Sequence, residues 1–217
     1  MATDHGHAEP DDLSDRARTW AATMAGHDID GVVTAHADSQ GFVGRIDADA
    51  GAIEAITIAD RADREAREAE ENAPGATRSS GGGDRAVDED ADPWRTCFER
   101  DRDRIVHSSA FRRLAGKTQV FVRPDDHQRT RLTHALEVAQ VAVSIARACR
   151  LNVPLADAIA LGHDCGHGPF GHDSEDALGQ YLDEGYDHAL WGADVVHTPL
   201  NLCRETLNGI RHHSWSL

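Results

Sequence analysis

A chain of 217 residues with 40% hydrophobic content is long enough for one domain and an appendage, and to bury a core. It has no apolar run near the roughly 18 residues of a membrane span, and its acidic opening, MATDHGHAEPDD, is no secretory signal. Neither a membrane nor a secreted protein is therefore expected, and a cytoplasmic one is.

The net charge of −16 is carried by the first part of the chain. Residues 1–92 hold 22 acidic and 8 basic side chains, against 16 and 14 in residues 93–217. Lys117 is the one lysine among the 22 basic residues, so arginine number by itself says little. The four cysteines lie far apart without a CxxC pair, which argues against a zinc ribbon or a disulfide framework. Cys97, Cys149 and Cys203 are expected to be reduced, buried small side chains.

In chain order, residues 1–71 form an acidic, poorly structured N-terminal region whose role is not legible. Its scattered His5, His7, His27 and His36 read as exposed. Within it, GFVGRIDADAGAIEAITI (41–58) predicts two short strands around an Asp-Ala-Gly turn. ADRADREAREAEE (59–71) has Asp60–Arg64, Asp63–Arg67 and Arg67–Glu71 at i,i+4, with only alanines to face a core, and reads as a solvated helix. Residues 72–92, rich in Gly, Ser, Ala and acid, read as a flexible linker.

Residues 93–217 change to helical patterning, and this domain is expected to be all-α. RLTHALEVAQVAVSIARACRL sets Leu132, Leu136, Ala139, Val143 and Ala146 at spacings of three and four, a helix of about five turns. PLADAIALGHD starts with Pro154, suited to a first helical turn, and turns Leu155, Ile159 and Leu161 inward. Gly162 weakens that helix where His163 and Asp164 appear.

Histidine and carboxylate bind borderline and hard divalent metals and are costly to bury unpaired. Neighbours on a helix point about 100° apart. His163 and Asp164 can therefore share a metal only near a helix end or with a ligand from another helix. His134, on the preceding amphipathic helix, is the candidate. The glycines and Pro169 of GHGPFGH let the backbone turn sharply, so that His167 and His172 can approach the same region.

Four blocks in order, ERDRDRIVHSSAFRRLAGKTQVF, HQRTRLTHALEVAQVA, AIALGHDCGHGPFGHDSED and NLCRETLNGIRHHSW, make residues 98–217 resemble the HD-domain deoxynucleoside triphosphate triphosphohydrolases, the deoxyguanosine-triphosphatase-like family. The resemblance implies an HD-domain helical bundle, incomplete in this chain. It implies a divalent metal (Mg²⁺, Mn²⁺ or similar) on His134, His163 and Asp164. It also implies hydrolysis of a deoxynucleoside triphosphate to deoxynucleoside and triphosphate. His172 with Glu175 match the family's catalytic histidine and its carboxylate. His188 matches a further active-site histidine, although Ala189 departs from the usual asparagine. Gln119 and Arg131 match positions that hold the deoxyribose and the triphosphate.

The chemistry agrees with these residue types. Arginines and a metal offset a polyanion, and a histidine tuned by a carboxylate can protonate the departing 5′-oxygen. Other features read blandly. Cys165 is expected to pack, Lys117 in GKTQ is no P-loop, and His212 and His213 are expected to fray. The family's last metal-ligand aspartate has no counterpart before Leu217, so impaired hydrolysis is expected. The alternatives are a non-catalytic module binding nucleotide or single-stranded nucleic acid, or an inert fragment of a longer enzyme. A homo-oligomer is compatible with either.

Overall fold

The structure, a computed structural model, describes residues 42–47, 52–117, 119 and 129–214. The reading of residues 1–41, with their four histidines, lies outside the described residues. A boundary after Ile58 divides the chain into two units. In the first, β1 (Phe42–Asp47) pairs antiparallel with β2 (Ala52–Thr57), with Phe42 opposite Thr57 and Asp47 opposite Ala52.

The second unit, residues 59–217, is helical. Helix α1 (Arg61–Glu71) starts at a capping box in which Asp60 and Asp63 bond each other's backbone amides. It buries no residue, as expected of a solvated helix. Thr96 and Glu99 form the same device at the start of α2 (Cys97–His107), which buries Cys97, Phe98, Asp101 and Ile105 on one face. Ser108 caps the short α3 (Ser109–Arg113), which runs into a 3₁₀ turn over Leu114–Gly116.

The centre of the bundle is the pair α4 (Arg131–Ala148) and α5 (Val153–Gly162). Thr130 caps α4, and Asn152 caps α5 with Pro154 in its first turn. The inward face of α4 is the expected one at Ala139 and Ala146, with Leu132 packed against the core, but it departs at Leu136, whose place Ala135 takes. Ala135, Ala139 and Ala146 are buried, whereas Leu136 is 50% exposed. Small side chains let α4 lie close to α5, where Ala158, Ala160 and Leu161 are buried in the same core. A leucine on that line would hold the helices apart. Ile105, Phe111, Leu114, Leu202 and Ile210 complete the core from the flanking elements. The chain closes with α6 (His172–Gly179), α7 (His188–Trp191), a π-helical turn over Gly192–Val196 and α8 (Arg204–Arg211).

Residues 72–92, read as a flexible linker, are part of this unit. Arg85 lies buried, its Nη1 2.7 Å from Asp101 Oδ1 and its Nη2 donating to the Cys97 carbonyl at 3.0 Å. Arg204 donates its amide to the Asp84 carbonyl, and Asn152 donates to Glu68 of α1. The composition of the stretch is that of a linker; one arginine with a buried carboxylate partner fixes it, because an aspartate in the core demands a counter-charge. The cysteines divide likewise: Cys97, Cys165 and Cys203 are buried, but Cys149, expected to be inside, is exposed. No helix among the described residues is long and apolar enough to cross a membrane.

Candidate metal centre

Helix α5 ends at Gly162, and the next six residues are all buried. His163 Nδ1 lies 2.7 Å from the Ala160 carbonyl oxygen, so that nitrogen donates and Nε2 carries the lone pair. Nε2 faces Asp164 Oδ1 at 3.2 Å. His134 reaches the same point from α4, its ring centroid 5.6 Å from that of His163. One donor atom from each of His134, His163 and Asp164 lies within 4.8 Å of the others. Two acceptors facing each other with no proton between them are repulsive, and a cation relieves that repulsion. The donor set fits a divalent metal.

The protonation states agree. Burial pushes the His163 imidazole below its ordinary pKa, outweighing the attraction of Asp164, so the ring is neutral. Burial opposes ionisation of Asp164. The hydrogen bond from His167 and the charges of His163 and Arg131 outweigh it and hold the carboxyl well below the usual range. A neutral imidazole and an ionised carboxylate are the forms that bind metal. Arg131 is 2% exposed, with Nη1 2.8 Å from Asp164 Oδ2, so in this state it is tied to the carboxylate. Gln119 is half-buried, and its Oε1 has no hydrogen-bond donor among the described residues.

Beyond Asp164 lies a second cluster. His167 Nε2 is 3.3 Å from Asp164 Oδ1, and its ring stacks on that of His188, 3.6 Å between centroids and 11° from parallel. Both rings turn Nδ1 towards Glu175 Oε1, while Glu175 Oε2 is 3.3 Å from His172 Nδ1. His172 is outermost, its side chain 74% exposed. Burial first, then the neighbouring His167, drives the His188 imidazole down to about 4 against the pull of Glu175.

Two glycines make the cluster sterically possible. A Cβ on Gly166 would run into the His188 carbonyl and the Gly192 backbone, so the loop comes this close to α7 only because residue 166 has no side chain. Gly171, at φ +63°, turns the chain into α6 directly over the Arg131 guanidinium. Lys117 donates its ammonium to the His167 carbonyl and Tyr186 its hydroxyl to that of Gly166, which pins the loop between them.

The predicted His134, His163 and Asp164 thus converge, as do His172, Glu175 and His188. Arg131 sits behind Asp164, and Gln119 shares no contact with His134, His163 or Asp164 among those described. The residue that sequence reasoning misjudged is His213. It does not fray: its Nδ1 bonds the Ile210 carbonyl at 2.7 Å, and its Nε2 lies 3.0 Å from His188 Nε2. Its ring is also 5.0 Å from that of His163. Cys165 packs in the core, as expected.

Residues 131–216 match the HD domain family, and His134, His163 and Asp164 lie within the matched stretch. In sequence it falls with proteins named deoxyguanosinetriphosphate triphosphohydrolase-like. It is 53% identical over 148 residues to the one from Caldanaerobacter subterraneus subsp. tengcongensis, covering 65% of this chain and 44% of that protein. It is 48% identical over 159 residues to the one from Brucella ovis, covering 68% and 40%. Against the Desulfatibacillum aliphaticivorans protein it is 54% identical over 129 residues, covering 56% and 37%. The chain therefore spans about two fifths of the length of these curated relatives.

Proposed function

We propose that the HD domain is the active site of a metal-dependent deoxynucleoside triphosphate triphosphohydrolase, releasing deoxynucleoside and triphosphate. The observation that carries this reading is the convergence of His134, His163 and Asp164 within 4.8 Å, in a chain akin to proteins whose name includes that activity. A divalent ion such as Mg²⁺ or Mn²⁺ on these three residues would supply Lewis-acid polarisation of a phosphoryl oxygen.

The remaining roles belong to this chain's own groups. His163 presents Nε2 because Ala160 fixes its Nδ1 proton, and Arg131 orients Asp164 through Oδ2 so that Oδ1 faces the ligand point. Arg131 then acts as a positioning residue, with contact to the triphosphate requiring that it leave Asp164. His172 is the proton donor to the leaving 5′-oxygen. It is exposed, and Glu175 Oε2 accepts from its Nδ1–H, leaving Nε2 to face substrate and carry the proton it gives up. His188 supports Glu175 from behind. The undonated Oε1 of Gln119 suits a sugar hydroxyl, whose proton it would accept.

The test is chromatographic detection of deoxyguanosine and triphosphate from dGTP with Mn²⁺, for the unaltered chain and for Asp164→Asn. We expect both products from the first and a loss of about 10²-fold or more in the second, the order of a missing electrostatic catalyst. Turnover that survives Asp164→Asn, or none with any deoxynucleoside triphosphate, overturns the reading.

A further inference from the structure

We propose that Cys97 and Cys203 are a dithiol pair that a peroxide closes to a disulfide, a reversible modification site tying α2 to α8. Cys97 is the first residue of α2 and Cys203 the residue before α8, yet both lie in one buried cluster with Phe98. They are 1% and 0% exposed. A Cβ on Gly83 would come within 3.5 Å of both sulfurs, so the two share one small space beneath that glycine. There the thiols hydrogen-bond each other.

The pair is asymmetric. The Cys97 sulfur accepts from the Cys203 thiol and from the Ser80 amide, and these bonds hold it below the ordinary thiol pKa against the cost of burial. The bond to Cys97, then burial, pushes the Cys203 thiol up. Cys97 is therefore the nucleophile and Cys203 the resolving thiol. The Cys97 thiolate attacks one oxygen of hydrogen peroxide and the O–O bond breaks. This leaves Cys97 sulfenic acid and a hydroxide, which the Cys97 proton converts to water. The Cys203 sulfur then displaces the sulfenic hydroxyl, which leaves with the Cys203 proton as a second water. Two electrons pass from the thiols to the peroxide.

The surroundings permit this closure. Gly83 is half-buried, at φ +84°, and has no side chain between the sulfurs and the surface. Arg85 donates to the Cys97 carbonyl and pairs with Asp101, whose Oδ2 accepts from the Cys203 amide. One ion pair thus holds both backbones in place, and closing the bond asks for rotation of side chains rather than movement of the chain. The other cysteines do not compete. Cys149 is exposed, and Cys165 lies in the main core, where burial pushes its thiol up to about 12 and keeps it unreactive.

The experiment treats the full chain carrying Cys149→Ser with hydrogen peroxide in native buffer. Remaining thiols are capped with iodoacetamide and the peptides mapped by mass spectrometry, with and without dithiothreitol. We expect two of the three thiols to disappear, in a linked peptide joining Cys97 to Cys203, and to return with dithiothreitol. The oxidised chain should melt about 4–16 °C higher, because the bond closes a long loop in a unit of this size. Cys203→Ser should stop the reaction at Cys97 sulfenic acid, which dimedone captures. Three thiols still open to capping after peroxide overturn the proposal, as does a link that joins Cys165 or forms only in urea. Cys203→Ala replaces Cys203→Ser should that variant fail to fold, and a two-thiol loss that survives either change counts equally against the pair. No readout involves metal or nucleotide, so the result is independent of the triphosphohydrolase reading.

Discussion

Replacing Arg85 by alanine tests whether residues 72–92 are structural. The Arg85 side chain is 1% exposed and that of Asp101 is fully buried, with 2.7 Å between Nη1 and Oδ1. The guanidinium also donates to the carbonyls of Gly82, Cys97 and Asn201. After truncation, Asp101 would keep its bonds from the Cys203 amide and the Thr206 hydroxyl but lose its only counter-charge among the described residues. Breaking a buried pair in this way costs about 3–5 kcal/mol, because the remaining charge stays desolvated. For a unit of this size each kcal/mol moves the melting temperature by about 2–4 °C, so Arg85→Ala should melt about 6–20 °C lower. Arg85→Met with Asp101→Leu, which removes both charges, should recover most of that loss. Circular dichroism melting of the three proteins is the assay. An Arg85→Ala midpoint within about 2 °C of the parent would refute the reasoning and return the segment to a linker.

Acid should destabilise the helical unit earlier than carboxylate protonation does. Burial depresses the imidazoles of His163, His167 and His197, and that of His188 to about 4. The unfolded chain takes up these protons near pH 6.5 while the folded one does not, so stability is complete above about 6.5 and falls as pH drops towards 4. Urea midpoints at pH 7.0, 5.5 and 4.5 should decrease in that order, and a flat series contradicts the burial of these rings. Gly166→Ala should cost at least about 1–3 kcal/mol, since its methyl meets the His188 carbonyl and Gly192 backbone. The same change should weaken Co²⁺ binding, and an unaltered urea midpoint would mean that the loop and α7 do not touch.

Local signals were readable in the sequence wherever the chemistry is carried by neighbours in the chain. Pro154 was read as a first-turn residue and occupies the first turn of α5. The strands over 42–47 and 52–57 fall in the stretch read as two short strands around an Asp-Ala-Gly turn. The convergence of His134, His163 and Asp164 was readable for a different reason: His-Asp at a weakened helix end calls for a third donor, and the preceding helix offers His134.

Periodicity put Ala139 and Ala146 of α4 inside but could not choose Ala135 over its neighbour Leu136. Closeness of approach to α5 selects the alanines and leaves Leu136, Val141 and Ile145 exposed. Composition could not show that Arg85 would find Asp101, sixteen residues on, across a stretch with every mark of a linker. Nor could it show that His213 would return to His188 from the last described turn.

The sequence by itself determined the helical class of residues 93–217 and the first turn of α5 at Pro154, and it set His134, His163 and Asp164 apart as candidate metal donors. Each of these depends on residue type and on spacing within one or two turns. Only the tertiary structure decided which face of α4 is inside, that residues 72–92 are fastened to the bundle, and that His167, His188 and His213 share one proton-bonded cluster with Glu175. Those outcomes depend on pairs far apart in the chain, whose burial removes water and obliges each polar group to find its partner in the protein.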